Sequence, residues 1–578
     1  MKRLFPWAFT VLLAAAGCSG KPAPATFTYA ATGEITSLDP VTPYDAVSQG
    51  VIFNVYETLI GFERDRNDRF VPLLATKVPS RENGLISQDG RTYRFPIRKG
   101  VRFHDGSVMR PGDVRYSLMR FMLTDRAGGP SSLLLEPILG IASTRDKDGN
   151  ISVDFAAVEK AVRVDGDDVV ITLKEPFAPF LSIMARWSYV MSRAWATERG
   201  AWNGSGESWK KFNNPGRDQT VFSEAMNGTG AFLLERWDRP GRKLLLGRHE
   251  AYWREPAKLN RVMILSIPEF GTRKLLLQGG DADIIEVPRT YLSQVTGMPS
   301  VRIEDGLPRL LTDPSFFFTF DINQQANPDI GSGKLDGEGI PSNFFADKDL
   351  RKAFAYSFDY DAFINETFKG RAARARGPIP PGLPGYDPDG PMTTFDKKKA
   401  EAYFRKAWGG QVWKKGFRFT MTYNTGGDVR EYACQILKKG VESINPKFKI
   451  DMRGLEWAAY LDRAQKRMMP LFSRGWTADY PDAHNFVFPY YHSKGRYPIA
   501  QGFKNETLDA RIDEAVRTVD AQKRAGLYHE ILKLGFEETP QLYTVHPPGV
   551  YAMRDRVRGF YDNAVFMGVY FYPLSRAE

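Results

Sequence analysis

The 578-residue chain is predicted to be an α/β protein built as lobes that share one continuous polypeptide. Two observations lead there. Strand-like runs with apolar residues at every second position alternate with helix-like runs along the whole length, the pattern of α/β architecture. The length also exceeds the roughly 100–200 residues of one domain, yet no repeat, low-complexity tract or long linker divides it.

Met1-Lys2-Arg3 and the apolar run Leu4 to Ala16 form a basic and then a hydrophobic region too short to cross a bilayer. They end at Ala14-Ala15-Ala16-Gly17-Cys18-Ser19, which resembles a bacterial lipobox, with Ala15 where Leu is commonest. The resemblance makes residues 1–17 a signal peptide, Cys18 the lipidated first residue and 18–26 a tether. The alternative is ordinary signal cleavage near the alanine run. Either way the chain is expected to be exported.

Composition narrows the partners. Cys18 and Cys434 are the two cysteines, so a lipidated Cys18 leaves no disulfide within the chain, and Cys434 reads as a small buried hydrophobe on a helix. Six scattered histidines give no metal-ligand spacing, and neither a metal nor a cofactor is expected. The formal charge of +11 is spread along the chain, and with export it reads as surface character rather than a nucleic-acid footprint.

Ser37-Leu38-Asp39-Pro40 opens the fold, and Val51 to Ile60 reads as a helix. Tyr93, Phe95 and Ile97 alternate as a half-buried strand that runs on to a turn at Asp105-Gly106, with Asp113 capping the next helix. His104 and Asp105 are read as holding that turn, not as a catalytic pair. Gly228-Thr229-Gly230 lacks the third glycine of a dinucleotide loop. Gly331-Ser332-Gly333-Lys334 lacks the leading glycine and the Ser or Thr of a phosphate loop. Phe316 to Asn323 is an aromatic strand, and Leu350, Phe354, Phe358 and Ala362 make one helical stripe. Phe417 to Tyr423 is a strand, and the helix from Asp428 to Ile444 is read with a buried stripe of Tyr432, Ala433, Ile436, Leu437 and Val441.

Met469-Pro470-Leu471-Phe472 reads as a buried strand that ends in Gly475-Trp476-Thr477-Ala478-Asp479-Tyr480-Pro481-Asp482-Ala483-His484-Asn485-Phe486. Strand ends beside a crevice are where open α/β sheets bind ligands. Asp479 could partner a cation taken out of water, with Trp476 and Tyr480 lining the pocket. The plain alternative is a polar turn over a buried Trp.

These stretches, in order and over nearly the whole mature chain, resemble the family 5 extracellular solute-binding proteins of bacterial ABC importers. The segments that carry the resemblance are Ser37 to Pro40, Ile97 to Gly106 with Asp113 to Ser117, Gly228 to Phe232, Asp349 to Asp359 and Gly475 to Phe486. The resemblance implies a two-lobed periplasmic-binding-protein-like fold, hinged by two crossing segments, with an extra subdomain on the first lobe. The first lobe would be 27–72, 215–305 and 540–578, the subdomain 73–214 and the second lobe 306–539. It implies a peptide or other small solute held between closing lobes and passed to a membrane permease. Asp479 would meet the peptide's α-ammonium, and Arg430, in the first turn of its helix, its carboxylate; a solvated surface Arg is the other reading. The protein is then a monomer on the periplasmic or outer face of a membrane. The alternatives are the same fold holding a nickel chelate, haem or a sugar, or a secreted hydrolase. No G-x-S-x-G or H-E-x-x-H motif supports the hydrolase, and no catalytic residue is expected.

Overall fold

A computed structural model describes residues 26–216, 219–426, 428–566 and 568–577, so Cys18 and the signal region lie outside the described residues. Two sheets organise the rest. The first runs in the order Val301–Leu307, Gly549–Arg554, Ile284–Glu286, Phe27–Ala31, Arg261–Ser266, Lys243–Arg248, Phe232–Asp238. Phe27–Ala31 lies parallel to both of its neighbours at the centre, and the flanking strands run antiparallel. The second sheet runs Phe448–Leu455, Phe417–Asn424, Leu471–Thr477, Leu311–Phe318, Gln541–Tyr543.

The chain passes from the first sheet to the second at residues 308–310 and returns at 547–548. The return comes later than the sequence suggests. Gln541–Tyr543 pairs with Ser315 to Phe317, and Val545–His546 pairs with Ala373–Arg374, so backbone hydrogen bonding keeps both segments with the second lobe.

Aromatic packing explains why the second lobe stands as a unit. Phe316, Phe318, Phe354, Phe417 and Phe448 fill its core, with the Phe417 and Phe448 rings stacked 4.6 Å apart. Cys434 is wholly buried there, as expected of a small hydrophobe. The extra subdomain is a three-stranded sheet with the helices Pro111–Thr124, Ser132–Leu139 and Phe155–Ala161 around it. Its strand Thr92–Pro96 buries Tyr93 and Phe95 on one face, the alternation read from the sequence.

Three helices differ from the sequence reading, each for a local reason. The first spans Ala46–Val55, because Asp45 caps it by accepting from the Ser48 amide at 2.9 Å. It ends there because the Val55 carbonyl accepts from the Gly230 amide at 2.9 Å. A Cβ at Gly228 would lie 2.1 Å from that oxygen, so the glycine is required by close approach. The second helix begins at Pro111, and Asp113 sits inside its first turn, accepting from the Arg110 amide at 2.8 Å. The single stripe from Leu350 to Ala362 is two helices, Lys348–Ser357 and Tyr360–Phe368, because Asp359 caps a new start on the Ala362 amide.

His104 and Asp105 hold their turn, as expected. The His104 ring bridges the Gly228 amide and the Gly230 carbonyl, and Asp105 accepts from the Ser107 amide. Burial pushes the His104 pKa down to about 4, so the ring stays neutral.

Asp39 fastens the subdomain to the first lobe. Its two oxygens take two hydrogen bonds from the Arg120 guanidinium, at 2.7 and 2.6 Å, with side-chain exposures of 0% and 6%. Asp39→Asn leaves a buried cation unmatched and should lower stability by about 3–5 kcal/mol in a guanidinium titration. A loss near zero would mean that solvent reaches Arg120.

Candidate functional site

The candidate site begins where the strand Leu471–Thr477 ends. Gly475 permits that strand to run against Asp313, since a Cβ there would meet the Asp313 Cβ at 2.3 Å. The Ala478 amide then donates to the Leu310 carbonyl at 2.8 Å, which pins the loop to the first crossing between the lobes.

Asn485 shapes the loop beyond the strand. Its side-chain oxygen accepts from the Asp479 amide at 2.8 Å and from the Trp476 indole at 3.2 Å, and its amide nitrogen donates to the Asp479 carboxylate at 3.2 Å. The loop also touches the first lobe's side of the cleft. The Trp187 indole donates to the Asp479 carbonyl at 2.9 Å, and Tyr44, packed against Trp187 at 5.9 Å, turns its hydroxyl to the Asp479 carboxylate.

Asp479 differs from every other carboxylate at its depth. Seven carboxylates are buried among the described residues, and six meet an arginine. Asp39 meets Arg120, Glu57 meets Arg254, Asp125 meets Arg145, Asp283 meets Arg576, Asp329 meets Arg463 and Asp482 meets Arg524. Asp479, 6% exposed, is the seventh and has no such partner. Burial raises its pKa, an effect opposed by the hydrogen bonds of Tyr44 and Asn485 and the more distant charges of Arg186 and Arg496.

Of the other residues singled out in the sequence, Trp476 is half-buried, edge-on to Tyr497 at 6.0 Å. Tyr480 is buried, with its hydroxyl 3.0 Å from the His484 ring. Arg430 forms a two-pronged pair with Asp313, both contacts 2.9 Å, and also donates to Asn424. Its guanidinium thus has a carboxylate from its own chain. Asp482, three residues after Asp479, is held by Arg524 at 2.6 and 2.7 Å.

Between the lobes lies a cavity of about 170 Å³ at the carboxyl ends of the central parallel strands. Tyr29, Ala31, Glu286 and Tyr551 come from the first sheet, Arg309 from the crossing and Thr477 from the second sheet. Sequence reasoning missed Tyr44, Arg186, Trp187 and Arg496. One signal was available: Arg186 is the lone charge in the helix Phe180–Trp187.

The family model for bacterial extracellular solute-binding proteins, family 5, matches residues 69–498. Heme-binding protein A of Haemophilus influenzae is 25% identical over 529 residues, covering 90% of this chain and 86% of the relative. The glutathione-binding protein GsiB of Salmonella typhimurium is 24% identical, covering 91% and 90%. Among solved structures, the periplasmic binding protein DppA of Helicobacter pylori, in complex with the peptide STSA, superposes with a TM-score of 0.73. It is 21% identical and covers 96% of this chain and 98% of its own.

The two acids of the loop should respond oppositely to substitution. Asp482→Asn strands the Arg524 guanidinium and should cost about 3–5 kcal/mol. Asp479→Asn removes a buried charge that has no partner, and should raise the melting temperature of the ligand-free protein. Scanning calorimetry on both variants checks this; a lower melting point for Asp479→Asn would mean the chain already matches that charge.

Proposed function

The chain belongs to the bacterial extracellular solute-binding proteins, family 5, and from that premise we propose that it captures a peptide between its two lobes and delivers it to an ABC permease. It is a binding protein, not an enzyme. The lobes that close are, in this reading, 27–72 with 215–305 and 549–577 against 306–546, with 73–214 riding on the first.

One observation carries the ligand reading: Asp479 is the buried carboxylate without an arginine, at the place where the second lobe's loop meets Tyr44 and Trp187. A carboxylate in that setting is a ready partner for an ammonium that leaves water on binding. Peptides with a free amino terminus supply one. The relatives named for glutathione and the structure solved with a tetrapeptide support that class. Trp476 flanks the acid, while Tyr480 and Arg430 act as supports, since both are already satisfied within the chain.

Asp479→Asn keeps the shape and removes the charge. Affinity for a free tripeptide should fall by about two to four decades, the equivalent of about 3–5 kcal/mol. N-acetylation should weaken binding to the wild type strongly and to the variant little, both read by titration calorimetry. Equal losses on acetylation in the two proteins would place the ammonium elsewhere.

We also propose that Cys18 carries the lipid anchor, on the strength of the apolar run that ends in Ala16-Gly17-Cys18. Cys18→Ser should move the protein from the membrane fraction to the soluble one. Wild-type protein that is already soluble and begins at another residue would end this proposal.

A further inference from the structure

An unmatched cation lies beside the unmatched anion, with Trp187 touching both. Five guanidiniums are buried among the described residues. Arg120 and Arg289 meet carboxylates, and Arg273 and Arg351 are ringed by backbone carbonyls. Arg186, 1% exposed, has neither. One of its terminal nitrogens donates to the neutral oxygens of Gln49, at 3.3 Å, and Tyr189, while the other has no hydrogen-bond partner. The group lies over the Trp187 ring at 4.7 Å and the Phe566 ring at 5.7 Å, and Phe566 lines the interlobe cavity. Trp187 is the residue that donates to Asp479, so the two unmatched charges are neighbours through one side chain.

The second lobe adds two more cations. Arg474 lies over the Trp457 ring at 5.1 Å and the Tyr497 ring at 5.5 Å. Arg496 keeps part of its surface in solvent, yet burial of its head group, with the Arg474 charge beside it, lowers its pKa. Neither forms an ion pair among the described residues. Arg186 and Arg496 thus act on the Asp479 carboxylate from a distance, Arg474 sits beside Arg496, and none of the four has a direct ion-pair partner. Self-repulsion among partly desolvated arginines is unfavourable until an anion settles between them.

We infer that the solute carries an acidic group within a residue or two of its ammonium, and that this anion docks on Arg186, Arg474 and Arg496 while the ammonium meets Asp479. The inference rests on the reading of Asp479 given above. It makes the site selective for acidic peptides, with the arginines as specificity-determining residues. Neutral peptides would pair one charge of the site and leave the cations facing each other; basic peptides would add to the repulsion.

The test is titration calorimetry on protein refolded free of co-purified solute. The probes are Glu-Ala-Ala, Ala-Glu-Ala and Ala-Ala-Glu, their glutamine counterparts, and Ala-Lys-Ala. A charged hydrogen bond between desolvated partners predicts at least about tenfold tighter binding for Glu over Gln at the first or second position. Ala-Lys-Ala should bind most weakly. Arg496 is exposed, so Arg496→Gln should fold, and the Glu/Gln ratio should drop toward one. Asp479→Asn should weaken both peptides and keep their ratio. A wild-type ratio near one would overturn the inference and leave the peptide reading standing. If no peptide binds, the peptide reading fails, and the co-purified solute decides by mass spectrometry: a solute without an acidic group overturns the inference, and one with it upholds it.

Discussion

A carboxylate taken out of water needs a cation, and this molecule is tied together by meeting that need. Asp39 and Arg120 join the subdomain to the first lobe, and Asp283 gathers Arg556 and Arg576 from the far end of the chain. Asp329 holds Arg453 and Arg463 within the second lobe, and Asp482 with Arg524 fixes the loop that carries Asp479. Such pairs contribute little net stability over well-packed apolar residues, but losing one partner is costly, so they act as registration points. Against that background Asp479 and Arg186 stand out because both lack the match, and both touch Trp187.

The architecture brings the two lobes together around one cavity. Strands that run parallel at the centre of the first sheet bring Ala31 and Glu286 to the cavity floor, and the loop after Thr477 descends on it from the other lobe. Asn485 gives that loop its form by binding Trp476 and Asp479 at once, which leaves the acid rigid before any ligand arrives. A preformed charge loses less on binding than a mobile one, because its ordering is already complete.

Much of this was legible in the sequence, and the rest was hidden for physical reasons. The α/β class, the strand at Tyr93 and Phe95 and the turn at His104 follow from periodicity and turn chemistry, which are local. The strand end before Asp479 was legible because turn residues follow it. The pairing of Arg430 with Asp313 was hidden, because the two lie 117 positions apart and nothing near Arg430 in the chain announces it. The burial of Tyr480 was hidden for a similar reason, since it depends on packing rather than on its sequence neighbours. Arg186 and Tyr44 approach Asp479 only through tertiary contact, although a single charge in an apolar helix hinted at Arg186. Helix boundaries shifted where a distant group competed for a backbone carbonyl, as Gly230 does at Val55.

The strand order of the first sheet carries one more consequence. Gly549–Arg554 is inserted between Val301–Leu307 and Ile284–Glu286, two segments made long before it. Ribosomes and export channels deliver a chain from its amino terminus, so for most of its passage this sheet has a gap that nothing upstream can fill. The second lobe, whose strands fall between residues 311 and 546, is complete before Gly549–Arg554 arrives. The strands from Ile284–Glu286 to Phe232–Asp238 pair without it, but Val301–Leu307 joins the sheet only through Gly549–Arg554, so that edge of the first lobe is the last part of either sheet to be completed.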